Sequence, residues 1–196
     1  SGSRTLILRL TFASTCAPYE RVNTMQLGVP KESADGDSRV GLSPDAVKKL
    51  KQKGFEILVE AGAGDQAGFS DAEYSEKGGR ITDRSQVLQS HIVVMINPPS
   101  KNDIAVMRPN AWLISMLDPF NADFSAVAQA GINAIAMELV PRTSRAQSMD
   151  VLSSQANIAG YRAVLEACVQ YPRFFPMMMT SAGMARPAKL IVLGVG

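Results

Sequence analysis

The sequence predicts an α/β protein: a parallel sheet with crossover helices, followed by the start of a second unit. Three observations carry that prediction. From Met25 onward, short apolar runs alternate with amphipathic stretches, the signature of strands joined by crossover helices. A long helical pattern then leads away from the last of these runs. Beyond it, a further apolar run over 189–193 ends in Gly194-Val195-Gly196.

The elements follow in order. Residues 27–29 form a first strand. Ser43 is suited to an N-cap, because its hydroxyl accepts a hydrogen bond from an orphaned first-turn amide. Pro44 stands next, where its missing N–H costs nothing, and Asp45 lies in the first turn. Ala46, Val47 and Leu50 mark one face, Lys48, Lys49 and Lys51 are solvated, and Gly54 ends the helix. Residues 55–59 form a second strand. Ser70 and Glu73 have capping-box spacing at the head of a short helix. Residues 91–96 are apolar after His91, as expected of a third strand buried on both faces. Further strands are expected at 112–116 and 134–139, separated by a helix near 122–130. Ile158, Tyr161, Leu165 and Cys168 recur at helical spacing and predict one long helix over 152–170.

The expected domains are 25–151, an α/β domain, and 152–196, a linking helix with the first strand of a second domain. Residues 1–24 read differently. Ser1-Gly2-Ser3 resembles a tag or a truncated start, and the rest up to Thr24 has Glu20 as its one acidic residue. That composition fits the end of a transit peptide or upstream sequence, and Met25 is then a candidate start.

Composition narrows the function. The 196 residues are 46% hydrophobic, so a sizeable core is available, and the net charge is +2. Without basic runs interleaved with aromatics, a nucleic-acid surface is not expected. No apolar run approaches the roughly 18 residues needed to span a bilayer, so the chain is expected to be soluble. Cys16 and Cys168 make neither a disulfide framework nor a Cys-x-x-Cys pair. His91 is the one histidine, so neither a zinc site nor a Ser-His-Asp triad is expected.

Two glycine motifs compete. In Gly194-Val195-Gly196 the first glycine permits a tight turn, and the second lets backbone amides approach a pyrophosphate at a helix N-terminus. By itself this signal is weak. Gly62-Ala63-Gly64-Asp65-Gln66-Ala67 also follows a strand, but the next helix signal waits until Ser70, so these glycines read as an ordinary turn. The segment from Arg142 to Ser153 is polar and lies between apolar stretches. It reads either as a solvated linker or as a site where Arg142, Gln147 and Asp150 converge on a flat, amide-bearing group such as nicotinamide. Arg or Gln would satisfy the amide carbonyl, and Asp or a Ser hydroxyl the NH2 group. Met177-Met178-Met179 reads as core or hinge packing. Arg39 is either a surface side chain or an anion clamp.

From Met25 to Gly196 the chain resembles the NAD(H)-binding component (the alpha subunit, or its first piece in some bacteria) of the proton-translocating transhydrogenases. The resemblance rests on Gly28-Val29-Pro30-Lys31-Glu32, Ser38-Arg39-Val40, Glu60-Ala61-Gly62-Ala63-Gly64 and Met137-Glu138-Leu139-Val140-Pro141-Arg142. Most specific are Ser144-Arg145-Ala146-Gln147-Ser148-Met149-Asp150 and Leu152-Ser153-Ser154-Gln155-Ala156-Asn157-Ile158-Ala159-Gly160-Tyr161-Arg162. The resemblance implies a Rossmann-like sheet domain followed by a second Rossmann domain that binds most of the NAD(H). It implies that Arg142, Gln147, Asp150 and Ser153 hold the dihydronicotinamide, with Gln147 and Asp150 closest to the chemistry. Gly194 and Gly196 would belong to the pyrophosphate turn. It further implies a homodimer on the cytoplasmic side of the inner membrane, as in the bacterial form, with the mitochondrial matrix side as the alternative. Hydride would pass to NADP(H) on a partner component, and a membrane component would couple this to proton movement.

The sister family, alanine dehydrogenase, is the competing reading, with a non-enzymatic remnant or binding module third. Alanine dehydrogenase uses a lysine in the third strand and a histidine downstream. Here Met95 stands at the lysine position, a departure from the transhydrogenases as well, which often keep a lysine there, and Leu113-Ile114-Ser115-Met116-Leu117 holds no histidine. Amino-acid oxidation needs acid–base groups; hydride exchange between two nicotinamides does not. The same truncated reading predicts exposed apolar surface on 152–170 and 189–193.

Overall fold

The computed structural model describes residues 24–34 and 36–194; the expectations for residues 1–23 and for Gly196 lie outside the described residues. Six parallel strands form one sheet: β1 (Gln26–Val29), β2 (Glu56–Glu60), β3 (Gly79–Thr82), β4 (Ile92–Val94), β5 (Trp112–Ser115) and β6 (Asn133–Ala136). Their spatial order is β3-β2-β1-β4-β5-β6, so the chain winds outward in both directions from the β1/β4 boundary. In an open sheet of this kind, ligands bind outside the carboxyl ends of the strands where the winding reverses.

The local rules explain the frame. Helix α1 (Pro44–Gln52) has Ser43 as N-cap, whose hydroxyl accepts from the Ala46 amide, and it buries Val47 against the sheet. Helix α2 (Asp71–Glu76) carries the complete Ser70/Glu73 capping box. Its Tyr74 is fully buried and donates to the Leu42 carbonyl at 2.7 Å. Burial, with Asp71 and Glu73 adding negative charge, pushes that phenol up to about 12, so it remains a donor. Strand β4 is central, with β1 on one side and β5 on the other, and Val93 is fully buried.

Among the strands and α-helices of the sheet domain, three lacked a recognised signal: β3, α3 (Arg84–Leu88) and α4 (Lys101–Val106). Strand β3 is an edge strand whose Gly-Arg-Ile-Thr sequence has a single apolar position, so it offers no apolar run. Helix α4 begins with a capping box built from Ser100 and Asp103, in which a shorter carboxylate replaces the usual Glu. The helix near 122–130 is α5 (Ser125–Gln129), and the strand expected over 134–139 ends at Ala136, where Met137–Leu139 turns into a 3-10 helix. That turn brings Glu138 back to the end of β5, and its carboxylate accepts from the Leu117 and Asp118 amides at 2.6 and 2.5 Å.

The core lies in two clusters. One joins Leu27, Val29, Val47, Ile57, Val59 and Tyr74; the other joins Leu88, Val93, Met95, Ile104, Leu113 and Val127. Between β2 and α4, Arg84 donates two hydrogen bonds to Asp103, at 2.8 and 3.0 Å, and one to Glu60 at 2.8 Å. This fork ties both sides of the sheet together at one end.

Beyond the sheet runs α6 (Val151–Gln170), within a residue of the expected start, followed by an antiparallel hairpin of β7 (Met178–Thr180) and β8 (Gly183–Ala185). The methionines expected to be core or hinge packing are exposed, with Met179 at 75%. Residues 189–193 form no strand: no neighbouring strand among the described residues pairs with their backbone groups, and a strand is defined by that pairing.

Candidate functional site

Two hollows flank the start of α6. The first lies at the carboxyl ends of β4 and β5, at the reversal of winding. It is a cavity of about 260 Å³ lined by Leu42, Met95, Ile114, Met116 and Met137, with Arg39 and Gln155 at its polar margin. Gly41 closes one wall. A Cβ there would stand 2.6 Å from the Val94 carbonyl oxygen, so only glycine lets this loop pack on the end of β4.

Arg39 is held from within its own loop. Asp37 accepts from its Nη2 at 2.6 Å and from its Nε at 2.9 Å, and Arg39 Nη1 donates to Gln155 Oε1 at 3.0 Å. The Arg39 guanidinium, helped by the Asn97 amide and opposed by burial, holds the Asp37 carboxyl well below the usual carboxylate range. Arg39 is therefore neither a free surface side chain nor an unengaged anion clamp. Met95 is 3% exposed and points no ionisable group into this crevice.

The second hollow, about 480 Å³, is lined by Arg142, Thr143, Ser144, Ala146, Gln147, Asp150 and Ser153. The four side chains expected to converge thus face one space. The segment is a 3-10 helix, Ser144–Met149, rather than irregular loop, and Ala146, at 6% exposure, is its buried residue. Sequence reading missed Ala146 because a lone alanine amid polar residues has no periodic partner. Asp150 is the N-cap of α6: its carboxylate accepts from the Ser153 amide at 2.9 Å and from the Ser153 hydroxyl at 2.6 Å. Those two bonds, the hydroxyl first, hold its carboxyl below the usual range, so it stays an anion. Arg142 adds positive charge beside it.

Gly194 is not part of this hollow. It lies in a separate depression with Gly160, Val164 and Phe175, farther along α6, and its φ of 86° is the left-handed conformation a glycine turn requires. The rival glycine motif is closed by its own chain: the Gly62 amide donates to the Asp71 carboxylate at 3.0 Å, which leaves no anion site there. His91 sits at the foot of β4, accepting from the Gln26 amide; burial and the adjacent Arg108 charge lower its pKa. It lies at the end of β4 opposite to the first hollow and lines neither hollow.

The comparisons bear on the family and the fold. Residues 28–159 match the family model described as alanine dehydrogenase/PNT, N-terminal domain. The NAD(P) transhydrogenase subunit alpha of Haemophilus influenzae is 40% identical over 174 residues, covering 88% of this chain and 34% of that protein. The crystal structure of transhydrogenase from Sinorhizobium meliloti superposes with a TM-score of 0.81 at 44% identity, covering 83% of this chain and 50% of that one. An L-alanine dehydrogenase structure follows with a TM-score of 0.59 at 31% identity, covering 62% of this chain and 34% of that one. The chain spans between about a third and a half of the length of the curated transhydrogenase subunits it matches. By sequence match and by the shared parallel-sheet architecture, the chain belongs to the alanine dehydrogenase/PNT N-terminal-domain family.

Proposed function

We propose that this chain is the nicotinamide-facing part of the NAD(H)-binding component of a transhydrogenase, with Arg142, Gln147, Asp150 and Ser153 holding the dihydronicotinamide. The observation that carries this reading is that those side chains line a single hollow of about 480 Å³, within the range of small-ligand sites. The donor set suits a carboxamide. Arg142 and Gln147 can donate to its carbonyl, and the Asp150 anion keeps lone pairs free to accept from its NH2 group. NAD(H), when bound, supplies the hydride. The residues of this chain align the ring, and none of the four needs to move a proton.

Alignment is a sufficient task. Holding two rings in a reactive stack can remove roughly 7–11 kcal/mol from a barrier in favourable cases. The alanine-dehydrogenase reading needs a proton-transfer group and a free carboxylate clamp. The crevice offers Met95 and Met116 instead, with Arg39 already engaged by Asp37. Residues 152–196 are then the linking helix and the opening of a second, NAD-binding domain, in which Gly194 and Gly196 form the pyrophosphate turn. The relatives are named as alpha subunits, which supports partners that carry NADP(H) and span the membrane. A homodimer on the cytoplasmic face of the inner membrane completes the proposal.

The test uses the full-length protein assembled with its partner components. Gln147→Ala and Asp150→Asn are expected to slow single-turnover hydride transfer from NADH to NADP+ by about 10- to 100-fold, as a misplaced reactant does. NADH affinity should change far less. Asparagine retains the capping acceptor at Asp150, so α6 stays capped. Unchanged stopped-flow rates in both variants would remove these residues from the ring site.

A further inference from the structure

We propose that Arg39 is a positioning residue: a chain of side chains running from the end of β4 ends in the Arg39–Gln155 hydrogen bond, which seats the first turns of α6 and thereby the hollow at Arg142–Ser153. The inference rests on the functional reading above and adds a residue to it.

The chain is continuous. The Glu32 carboxylate accepts from the Ile96 amide at 2.6 Å, from the Asn97 amide at 3.1 Å and from Asn97 Nδ2 at 3.0 Å. The same Asn97 Nδ2 donates to Asp37 at 2.8 Å. Asp37 grips the Nε and Nη2 edge of Arg39, which leaves Nη1 directed at Gln155 Oε1, 3.0 Å away. Both ends matter. Glu32 and Asn97 belong to the rigid carboxyl end of the sheet, and Gln155 lies half-buried little more than a turn beyond the Asp150 N-cap.

Helix α6 has few other attachments. None of its residues is buried, and among the described residues Arg39–Gln155 is the one side-chain hydrogen bond linking it to the sheet side. That bond therefore ties the first turns of α6 to the carboxyl end of the sheet. Asp150 caps that helix and Ser153 lies in its first turn, so a shift at Gln155 moves both relative to Arg142 and Gln147 on the preceding segment. The planar guanidinium is essential to the device. Its Nε/Nη2 edge is fixed by Asp37 while Nη1 reaches the helix, a geometry that a lysine ammonium cannot reproduce.

The experiment uses the full-length protein with its partner components and compares Arg39→Lys, Gln155→Leu and Gln155→Glu. Arg39→Lys and Gln155→Leu should each slow single-turnover hydride transfer about 10-fold, the scale of a small misalignment, with NADH affinity held within about threefold. Gln155→Glu keeps an acceptor for Nη1 and should stay within about twofold of the parent rate. Amide hydrogen exchange over residues 142–154 should accelerate in Gln155→Leu and not in Gln155→Glu. Loss in Arg39→Lys alone would make Arg39 a ligand-binding group and overturn the proposal. Unchanged exchange in Gln155→Leu would overturn it whatever the rates show. Absence of any NADH-to-NADP+ transfer in the parent protein would instead overturn the functional reading on which it rests.

Discussion

The sheet domain and the segment from Val151 onward use similar residues to opposite ends. In the sheet, Val93, Leu113, Ile57 and Val59 are fully buried. On α6, Ile158 is 58% exposed, Tyr161 70% and Val169 78%, and farther on Ile191 and Leu193 reach 87% and 94%. The difference is one of partners. A strand in a parallel sheet is covered by its own crossover helices, whereas α6 carries apolar residues around much of its circumference and meets little protein. An all-round apolar helix is ordinarily buried, yet none of the residues of α6 is buried by the rest of the described chain. The contrast teaches that hydrophobicity predicts burial only where covering elements are at hand.

The largest expected effect tests the contrast directly. Leu113→Ala should destabilise the sheet domain by about 2–5 kcal/mol, as for other buried leucines. Equilibrium urea unfolding measures it, and a loss below about 1 kcal/mol would mean that the core is not closed.

The next effect concerns the Arg84 fork, which is largely buried, whereas the Arg162–Glu166 ion pair on α6 is exposed. Burial raises the Asp103 carboxyl, but the Arg84 and Ser100 hydrogen bonds and the Arg84 charge outweigh it and hold the group below its ordinary value. A lowered folded pKa stabilises the native state above the unfolded value and loses that contribution as pH falls through the folded value. Asp103→Asn should therefore cost about 1.5–3 kcal/mol at pH 7, and the acid limb of the stability curve below about pH 4 should flatten. A variant with an unaltered acid limb would show that the pair contributes nothing to linkage.

The smallest effect is on α6. Ile158→Glu and Val169→Glu should change stability by no more than about 0.5 kcal/mol, because both side chains are largely in water. The same changes should reduce light scattering at high concentration, because they interrupt a contiguous apolar patch. A loss as large as that in Leu113→Ala would erase the distinction between the two regions.

Much of this molecule was legible from local rules. Ser43 with Pro44, and Ser70 with Glu73, mark helix starts through short-range hydrogen bonds that depend on neighbouring residues alone. The apolar run after His91 announced a central strand for a similar reason. Strand β3 escaped because an edge strand owes its existence to β2 beside it. Residues 189–193 misled for the converse reason: they are mostly apolar, with β-branched Ile191 and Val192, but no strand among the described residues lies beside them to pair with.

The candidate site divides along the same line. Arg142, Gln147, Asp150 and Ser153 stand close together in the chain, so their types and spacing could be read directly. Arg39 and Gln155 are 116 positions apart, and no local pattern joins them. Their meeting depends on the winding that brings the loop after β1 to the carboxyl end of β4 and beneath α6. The sequence alone determined the helix caps, the alternation of strand and helix, and the polar cluster, because those depend on neighbours along the chain. Only the tertiary structure decided which distant side chains meet and which apolar faces stay uncovered, because both depend on what the folded chain places alongside them.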